Sequence, residues 1–195
     1  METASAARPG QVDIWRICLA TERPLHLTGA ELERASRFHF EADRWHWSRA
    51  HSALRTILSR YTGTGPLDLE FQIGEHGKPA LENPAAPHFN LSHSGDWALV
   101  AVSTHAPVGV DVERIRENVD IAALLRRLRE TDLPENRDTC FRRWAHREAR
   151  SKAHGGPLMI MPPGDTYSAD VEMAARYVAA VALIGHSPST RYYSE

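Results

Sequence analysis

A short apolar run with two acids set into it, VGVDVE at residues 108–113, constrains the fold of this chain most strongly. Successive side chains of a strand point to opposite faces, so Asp111 and Glu113 share one face while Val110 and Val112 share the other. Two like charges side by side repel each other unless a cation lies between them. Carboxylate oxygens suit Mg²⁺ or Mn²⁺ better than zinc. The run therefore indicates either a divalent-cation site or a solvated edge strand with one pair of acids.

A helix farther along the chain offers a third acid. Residues 144–152 (WAHREARSK) are mostly good helix formers, and the Gly-Gly-Pro sequence at 155–157 ends the pattern. Trp144, Glu148 and Lys152 follow one another at four-residue intervals and therefore form one stripe. The stripe is either an ordinary helix surface with one ion pair or the source of a third oxygen ligand for the cation.

Four sequence elements then occur in an order that is typical of one enzyme family. They are GEHGKPAL at 74–81, FNLSHSG at 89–95, GVDVE at 109–113 and W-x-x-x-E-A-x-x-K at 144–152. In this order they resemble the 4′-phosphopantetheinyl transferases of the larger, surfactin-synthetase-activating (Sfp-like) type. Each element is weak singly and the four are specific together.

The resemblance implies an α/β (α+β) fold of two similar halves, each a helix packed on a small sheet, related by a pseudo-twofold axis. We expect an N-terminal half at 1–106 with the coenzyme A phosphate-binding elements, and a C-terminal half at 107–184 with the metal-binding carboxylates. The second half is shortened, because the connection after GVDVE lacks most of a helical segment that is common in the family. Residues 185–195, rich in Ser, Pro and Tyr, are expected to form a disordered tail.

The resemblance also implies roles for individual residues. Mg²⁺, with Mn²⁺ as a possible substitute, would bind Asp111, Glu113 and Glu148. Glu148 is also the candidate base, with Lys152 beside it to hold the acid ionised and to balance charge at the phosphate. Whether Glu148 acts as base, ligand or both stays open at this point. The expected coenzyme A contacts are Lys78, Ser92, His93 and a basic residue of the preceding helix, for which His51 and Arg55 are the nearest matches.

Most of these residues have an ordinary structural interpretation as well. A lysine on a glycine-rich turn often serves solubility alone, a lone histidine is often structural, and basic residues on an amphipathic helix often lie on its solvated face. A cluster of arginines between residues 126 and 150 is either a solvated helical face or a docking surface for phosphates or an acidic partner. The cluster comprises Arg126, Arg127, Arg129, Arg142, Arg143, Arg147 and Arg150.

Hydrophobic periodicity and capping signals predict the other elements of the chain. They are a strand at 12–19, helices at 28–37, 43–61 and 119–130, a strand at 67–73, a polar turn followed by a buried strand within 89–102, a polar loop at 132–138, and strands at 167–172 and 177–183.

Composition narrows the class of protein. A length of 195 residues allows one compact domain or two small subdomains, and a net charge of −2 does not suggest nucleic-acid binding. Cys18 and Cys140 lack metal or redox spacing, which favours a reducing compartment. The first six residues lack a signal-peptide pattern and no run is long enough to span a bilayer, so we expect a cytoplasmic protein that does not associate with membranes. A monomer is the family expectation.

The implied reaction is Mg²⁺-dependent transfer of 4′-phosphopantetheine from coenzyme A to a serine of an acyl or peptidyl carrier protein, as in polyketide or nonribosomal peptide biosynthesis, with release of 3′,5′-ADP. One alternative is a degenerate family-like protein that binds coenzyme A or a carrier without turnover, which the shortened second half would favour. The other is a Mg²⁺-dependent phosphohydrolase that uses the same three acids.

Overall fold

Helices and strands are mixed along the chain in the computed structural model, which describes residues 10–157 and 164–195. The first elements are β1 (Gln11–Cys18), α1 (Gly29–Ser36), α2 (Glu41–Thr62), β2 (Phe71–Ile73), β3 (Pro79–Leu81), β4 (His88–Ser94) and β5 (Trp97–Ser103). The following elements are β6 (Val108–Arg114), α3 (Ile121–Arg127), α4 (Arg137–His154), β7 (Thr166–Asp170), β8 (Tyr177–Ile184) and β9 (Ser189–Ser194). The predicted α/β class is confirmed.

These elements form four layers, because alternate side chains of each sheet pack on different neighbours. One sheet has the strand order β4-β5-β1-β9 and a second has the order β6-β8-β7, while β2 and β3 form a separate hairpin. Ile17 and Val100 of the first sheet pack on α2, whereas Ile14 on its other face packs on Val110 of the second sheet. The far face of the second sheet carries Ala180, which packs on α4. The two sheets therefore lie face to face between α2 and α4.

Several predicted elements have different bounds in the structure. Strand β2 begins at Phe71 rather than at residue 67, and α4 begins at Arg137, because the Asn136 side chain accepts hydrogen bonds from the first backbone N–H groups of the helix. The segment before β5, predicted as a polar turn, is strand β4. Its polar side chains misled the prediction, since they contact a neighbouring strand instead of water. The capping box predicted at Thr28 and Glu31 is present.

The expected disordered tail is wrong for most of its length, because β9 pairs in parallel with β1. Arg191 Nε donates to Asp13 Oδ1 at 2.7 Å, and the Tyr193 ring stacks on Trp15 with centroids 4.6 Å apart. Composition suggested disorder, but alternate side chains of this segment meet a buried acid and an aromatic ring. These contacts outweigh the weak hydrophobicity of the segment.

The boundary between the two halves at residue 106 stays a prediction. The expectation about the first six residues concerns a segment outside the described residues. Across residues 10–157 and 164–195, none of the helices combines the length and the hydropathy needed to cross a membrane.

Helix α4 approaches strand β6 unusually closely at Gly109. A Cβ atom at this position would lie 2.0 Å from the Ala149 carbonyl oxygen and 2.4 Å from the Ala153 backbone nitrogen. Only a residue without a side chain allows this separation, because the obstructing atoms belong to helix backbone and cannot rotate away. Gly109 therefore fixes the distance between α4 and the strand that carries Asp111 and Glu113.

Replacing Gly109 with alanine tests this close approach. We expect Gly109→Ala to lower the free energy of unfolding by about 2–4 kcal/mol, because the new methyl group must push α4 away from β6. Urea denaturation followed by circular dichroism measures the change. Gly29→Ala is the matched control, since a Cβ there meets no atom within 4 Å and should leave stability equal or higher. Equal stability of Gly109→Ala and wild type would contradict the packing.

Candidate active site

Strands β4 and β6, the facing edges of the two sheets, are joined by side chains instead of by backbone pairing. Alternate side chains of β4 accept hydrogen bonds from alternate backbone N–H groups of β6, and we call this set the side-chain ladder. Its bonds are Val110 N–H to Asn90 Oδ1 (2.8 Å), Val112 N–H to Ser92 Oγ (3.4 Å) and Arg114 N–H to Ser94 Oγ (3.1 Å). The ladder satisfies backbone groups of an edge strand that would otherwise be left unpaired.

The serines of the ladder also hold the two acids of β6. Ser92 donates its hydroxyl to Asp111 Oδ1 at 2.9 Å, and Ser94 donates to Glu113 Oε2 at 3.3 Å. Asp111 is only 3 % exposed, so it is not the outward-looking acid that the sequence suggested, although it does share a strand face with Glu113. The ladder thus sets both the position of β6 and the orientation of its carboxylates.

Helix α4 brings the predicted Glu148 and Lys152 to the same place. Lys152 Nζ lies 2.6 Å from Asp111 Oδ1 and 4.0 Å from Glu148 Oε2. The stripe on α4 therefore faces β6 across the gap that Gly109 permits. Three acids and one lysine converge here from one strand and one helix.

The environment of the acids opposes their ionisation. Burial raises the pKa of Asp111, which the Lys152 charge only partly opposes. Burial, and then the charge of Asp111, raise the pKa of Glu113. Burial also raises the pKa of Glu148, with the Lys152 charge acting in the opposite direction. The site would consequently gain free energy from a cation that can approach all three carboxylates.

The acids fit a divalent cation by their chemistry. Asp111 Oδ2 is buried and has no hydrogen-bond partner, which leaves one carboxylate oxygen available as a ligand. An all-oxygen donor set suits Mg²⁺ or Mn²⁺. Within residues 10–157 and 164–195, no three His, Cys, Asp or Glu side chains are already arranged as a ligand group. The Lys152 ammonium instead lies among the acids.

Lys78 lies at the junction between β6 and α4. Its Nζ donates to the carbonyl oxygens of Val108 at 2.9 Å and Ala153 at 3.0 Å. Burial lowers the pKa of Lys78 to about 8. In this arrangement Lys78 ties the start of the acidic strand to the end of the helix that carries Lys152, and its ammonium group is committed to backbone.

The two predicted histidines lie in different surroundings. His93 is exposed on β4, and desolvation followed by the charges of His46 and Lys152 lowers its pKa. His51 stacks on Trp47 with ring centroids 4.0 Å apart, and burial lowers the pKa of His51 to about 4. His51 is therefore neutral near pH 7, whereas His93 is exposed on the strand face opposite to that of Ser92 and Ser94.

The structure does not bring Arg55 to the acids. Its Nε lies 2.8 Å from Glu31 Oε2, and its Nη1 donates to the carbonyl oxygens of Pro66 and Leu69. The residue is 4 % exposed, so its guanidinium holds α1 and the following loop against α2. This is a structural ion pair with little surface left for a ligand.

Part of the arginine cluster is likewise committed to internal contacts. Arg147, predicted on a surface, is 6 % exposed and donates to Glu130 Oε1 at 2.9 Å. Arg142 pairs with Asp170 at 2.9 Å. Both arginines fasten α4 to its neighbours, but only the buried Arg147 is removed from the candidate docking surface, since the Arg142 side chain is 49 % exposed.

Asn90, Ser94 and Gly109 are the residues of this site to which sequence reasoning gave no role. The signal was the spacing N-x-S-x-S at 90–94, because polar residues at every second position can form one face of a strand. For Gly109 the sequence held no comparable signal, since the need for glycine arises from a helix that is distant along the chain.

Comparison with known proteins agrees with the motifs. A family described as "4′-phosphopantetheinyl transferase, N-terminal" matches residues 21–105. The chain is 35 % identical to 4′-phosphopantetheinyl transferase HetI of Nostoc sp. (strain PCC 7120) over 74 % of this chain and 69 % of that protein. It is 28 % identical to 4′-phosphopantetheinyl transferase Sfp of Bacillus subtilis (strain 168) over 70 % of this chain and 62 % of that protein. The chain thus spans about two thirds of the length of these relatives.

The raised pKa of Glu113 predicts a specific pH dependence of stability. Because the folded protein binds this proton more tightly than the unfolded chain, Glu113 favours folding most below its usual pKa of 4.5, and that contribution is lost as pH rises through the folded pKa. Glu113→Gln should therefore be more stable than wild type at pH 8, by up to about 1 kcal/mol. Thermal unfolding between pH 4 and pH 8 measures the difference.

Glu75→Gln provides the control for this comparison, because it removes an exposed carboxylate from the β2–β3 turn. Its stability should stay within about 0.5 kcal/mol of wild type at both pH values. A Glu113→Gln protein that is less stable than wild type at pH 8 would contradict the electrostatic description of the site.

Proposed function

This chain belongs to the 4′-phosphopantetheinyl transferase family, and we propose that it transfers 4′-phosphopantetheine from coenzyme A to a serine of an acyl or peptidyl carrier protein, with release of 3′,5′-ADP. The observation that carries the proposal is the convergence of Asp111, Glu148 and Lys152 between β6 and α4. The site combines three groups: Asp111, which is buried and has a free oxygen, Glu148, whose pKa is raised, and Lys152. Such a combination suits a phosphoryl-type displacement.

Asp111, Glu113 and Glu148 would hold Mg²⁺ or Mn²⁺ in this proposal, and the bound ion would neutralise charge on the pyrophosphate of coenzyme A. The unpartnered Oδ2 of Asp111 supports this assignment.

Glu148 is the proposed acceptor of the proton from the carrier serine. Burial raises the pKa of Glu148, so its carboxylate is a better base than an exposed one, while Lys152 at 4.0 Å keeps a fraction of it ionised. As the serine oxygen bonds to the β-phosphorus, its proton passes to a Glu148 oxygen. The bond from that phosphorus to the oxygen bridging the two phosphates breaks at the same time. The leaving 3′,5′-ADP carries away that oxygen.

His93 is the best-supported phosphate contact of the chain. Its side chain is exposed on β4, and a phosphate dianion at this position would raise its pKa and favour the charged ring. Lys78 and Ser92 stay predictions as phosphate contacts, because each would first have to exchange a hydrogen bond to the protein. His51 and Arg55 have weaker support, since one is stacked on Trp47 and the other is paired with Glu31.

The layered fold supports the expected arrangement of two halves. In each half a long helix packs on one sheet, α2 in the first and α4 in the second, and the site lies where β4 and β6 meet. We propose that the halves are related by a pseudo-twofold axis and that the second half is the shortened one. Cys18 and Cys140 are free thiols, which agrees with a reducing cytoplasm. We propose that the protein acts there as a monomer.

Intact-mass spectrometry of an apo carrier protein tests the proposed reaction. The carrier is incubated with this protein, coenzyme A and Mg²⁺, and we expect a gain of one phosphopantetheine on its serine. Glu148→Gln should slow the gain by about 10²–10⁴-fold, because the proton acceptor is lost. Glu22→Gln, which removes an exposed acid outside the four motifs, should transfer at the wild-type rate.

Other outcomes separate the alternatives. Coenzyme A binding without transfer to fatty-acid, polyketide or peptide carriers would indicate a degenerate family member. Release of phosphate or nucleotide with no carrier present would indicate a phosphohydrolase. Transfer by Glu148→Gln at the wild-type rate would remove Glu148 from the role of base.

A further inference from the structure

The ammonium group of Lys152 lies where a cation among the acids would be expected. Its Nζ is 2.6 Å from Asp111 Oδ1, 3.3 Å from Ser92 Oγ and 4.0 Å from Glu148 Oε2. The Lys152 charge also acts on Glu113 in the direction that favours its ionised form. The single ammonium group of Lys152 therefore stabilises the ionised form of all three carboxylates.

The Lys152–Asp111 pair differs from an ordinary surface ion pair. The side chain of Asp111 is 4 % exposed and that of Lys152 is 30 % exposed, so water screens the pair poorly. Among the described residues, Lys152 is the only basic side chain within ion-pair distance of Asp111. Without this ammonium group, a buried carboxylate would lack its counter-charge.

The backbone around Lys152 is fixed while its side chain is not. Lys78 holds the neighbouring carbonyl of Ala153, and Gly109 lies against the backbone of the same helical turn. A lysine side chain, by contrast, has four methylene groups and can move its ammonium by several ångströms through rotamer changes alone. The ammonium can thus leave Asp111 without any shift of α4.

We propose that Lys152 is the internal counter-ion of the metal-free site, and that a divalent cation binds only by displacing this ammonium group from Asp111. The proposal rests on the proposed metal site. A divalent cation on the free Oδ2 of Asp111 would lie only a few ångströms from the ammonium group on Oδ1 of the same carboxylate, and the repulsion between the two charges in a poorly hydrated site is strong. Because the Lys152–Asp111 pair must break before the cation can bind, the free energy of that pair is subtracted from the binding free energy of the cation. The displaced ammonium then becomes available for a phosphate group of the substrate.

The proposal makes opposite predictions for metal affinity and for the stability of the metal-free protein. Lys152→Met removes the charge and keeps the length and helix propensity of the side chain. We expect it to bind Mn²⁺ about tenfold more tightly than wild type, because no ammonium has to be displaced. The metal-free variant should also unfold at a lower temperature, since Asp111 then lacks its counter-charge. Electron paramagnetic resonance of free Mn²⁺, with no coenzyme A present, measures the affinity.

Two further variants test whether the charge of Lys152 causes the expected change in Mn²⁺ affinity. Arg137→Gln removes one positive charge from the exposed start of α4 and should change the Mn²⁺ affinity by less than about twofold, because solvent screens charge at that distance. Lys152→Arg keeps the charge, so its affinity should stay close to that of wild type. Tight binding by both Lys152→Met and Lys152→Arg would show that charge is not the cause and would overturn the proposal.

The unaltered protein provides a measurement that does not depend on a variant folding. Titration with Mg²⁺ should shift the nuclear magnetic resonance signals of the Lys152 Cε and Nζ groups as the ammonium leaves Asp111. An unchanged Lys152 signal with Mg²⁺ bound would overturn the proposal, and so would the absence of Mn²⁺ binding to both wild type and Lys152→Met. If carrier modification proceeds while Lys152→Met binds Mn²⁺ no more tightly than wild type, the proposed function stands and this inference fails.

Discussion

Hydrogen bonds from the backbone N–H groups of β6 to the side chains of β4 are the interaction on which the rest of the structure depends. An edge strand exposes unpaired N–H groups, and a buried N–H group without a partner costs about 1–3 kcal/mol. Asn90 and Ser92 are 7 % exposed and satisfy Val110 and Val112, which are buried among apolar residues of the two sheets. The ladder therefore joins the two sheets at one edge. Because side chains alternate along β6, the same register turns its acids toward α4.

The second constraint is the approach of α4 to β6. Gly109 permits it, and Lys78 bonds to a carbonyl from each element. As a result Glu148 and Lys152 meet Asp111 in a part of the protein where carboxylates ionise reluctantly. In the absence of a bound cation, the ammonium group of Lys152 offsets part of the free-energy cost of ionising these buried carboxylates. Packing of a helix on a glycine thus determines the charge balance on which the proposed transfer chemistry depends.

Local sequence patterns correctly predicted the structural features that residues close together in the chain determine. The alternation in β6, the stripe on α4 and the capping box at Thr28 were correct because each is set within one turn or one strand. Motif order identified the family. Predictions failed where a partner lies far along the chain: the polar face of β4 looked like a turn until β6 satisfied it, and β9 looked disordered until Asp13 and Trp15 were placed beside it. The contacts of Arg55 and His51 could not be predicted from the sequence for the same reason.

Amide hydrogen exchange at Val110 tests the central claim most directly. If the ladder holds β6, this amide should exchange slowly in the wild-type protein, and Asn90→Ala should increase its exchange by at least about tenfold, because the accepting oxygen is removed. Asn83→Ala, which removes an exposed asparagine from a turn before β4, should leave the Val110 amide unchanged. Rapid exchange of Val110 in the wild-type protein, or slow exchange that persists in Asn90→Ala, would contradict the account.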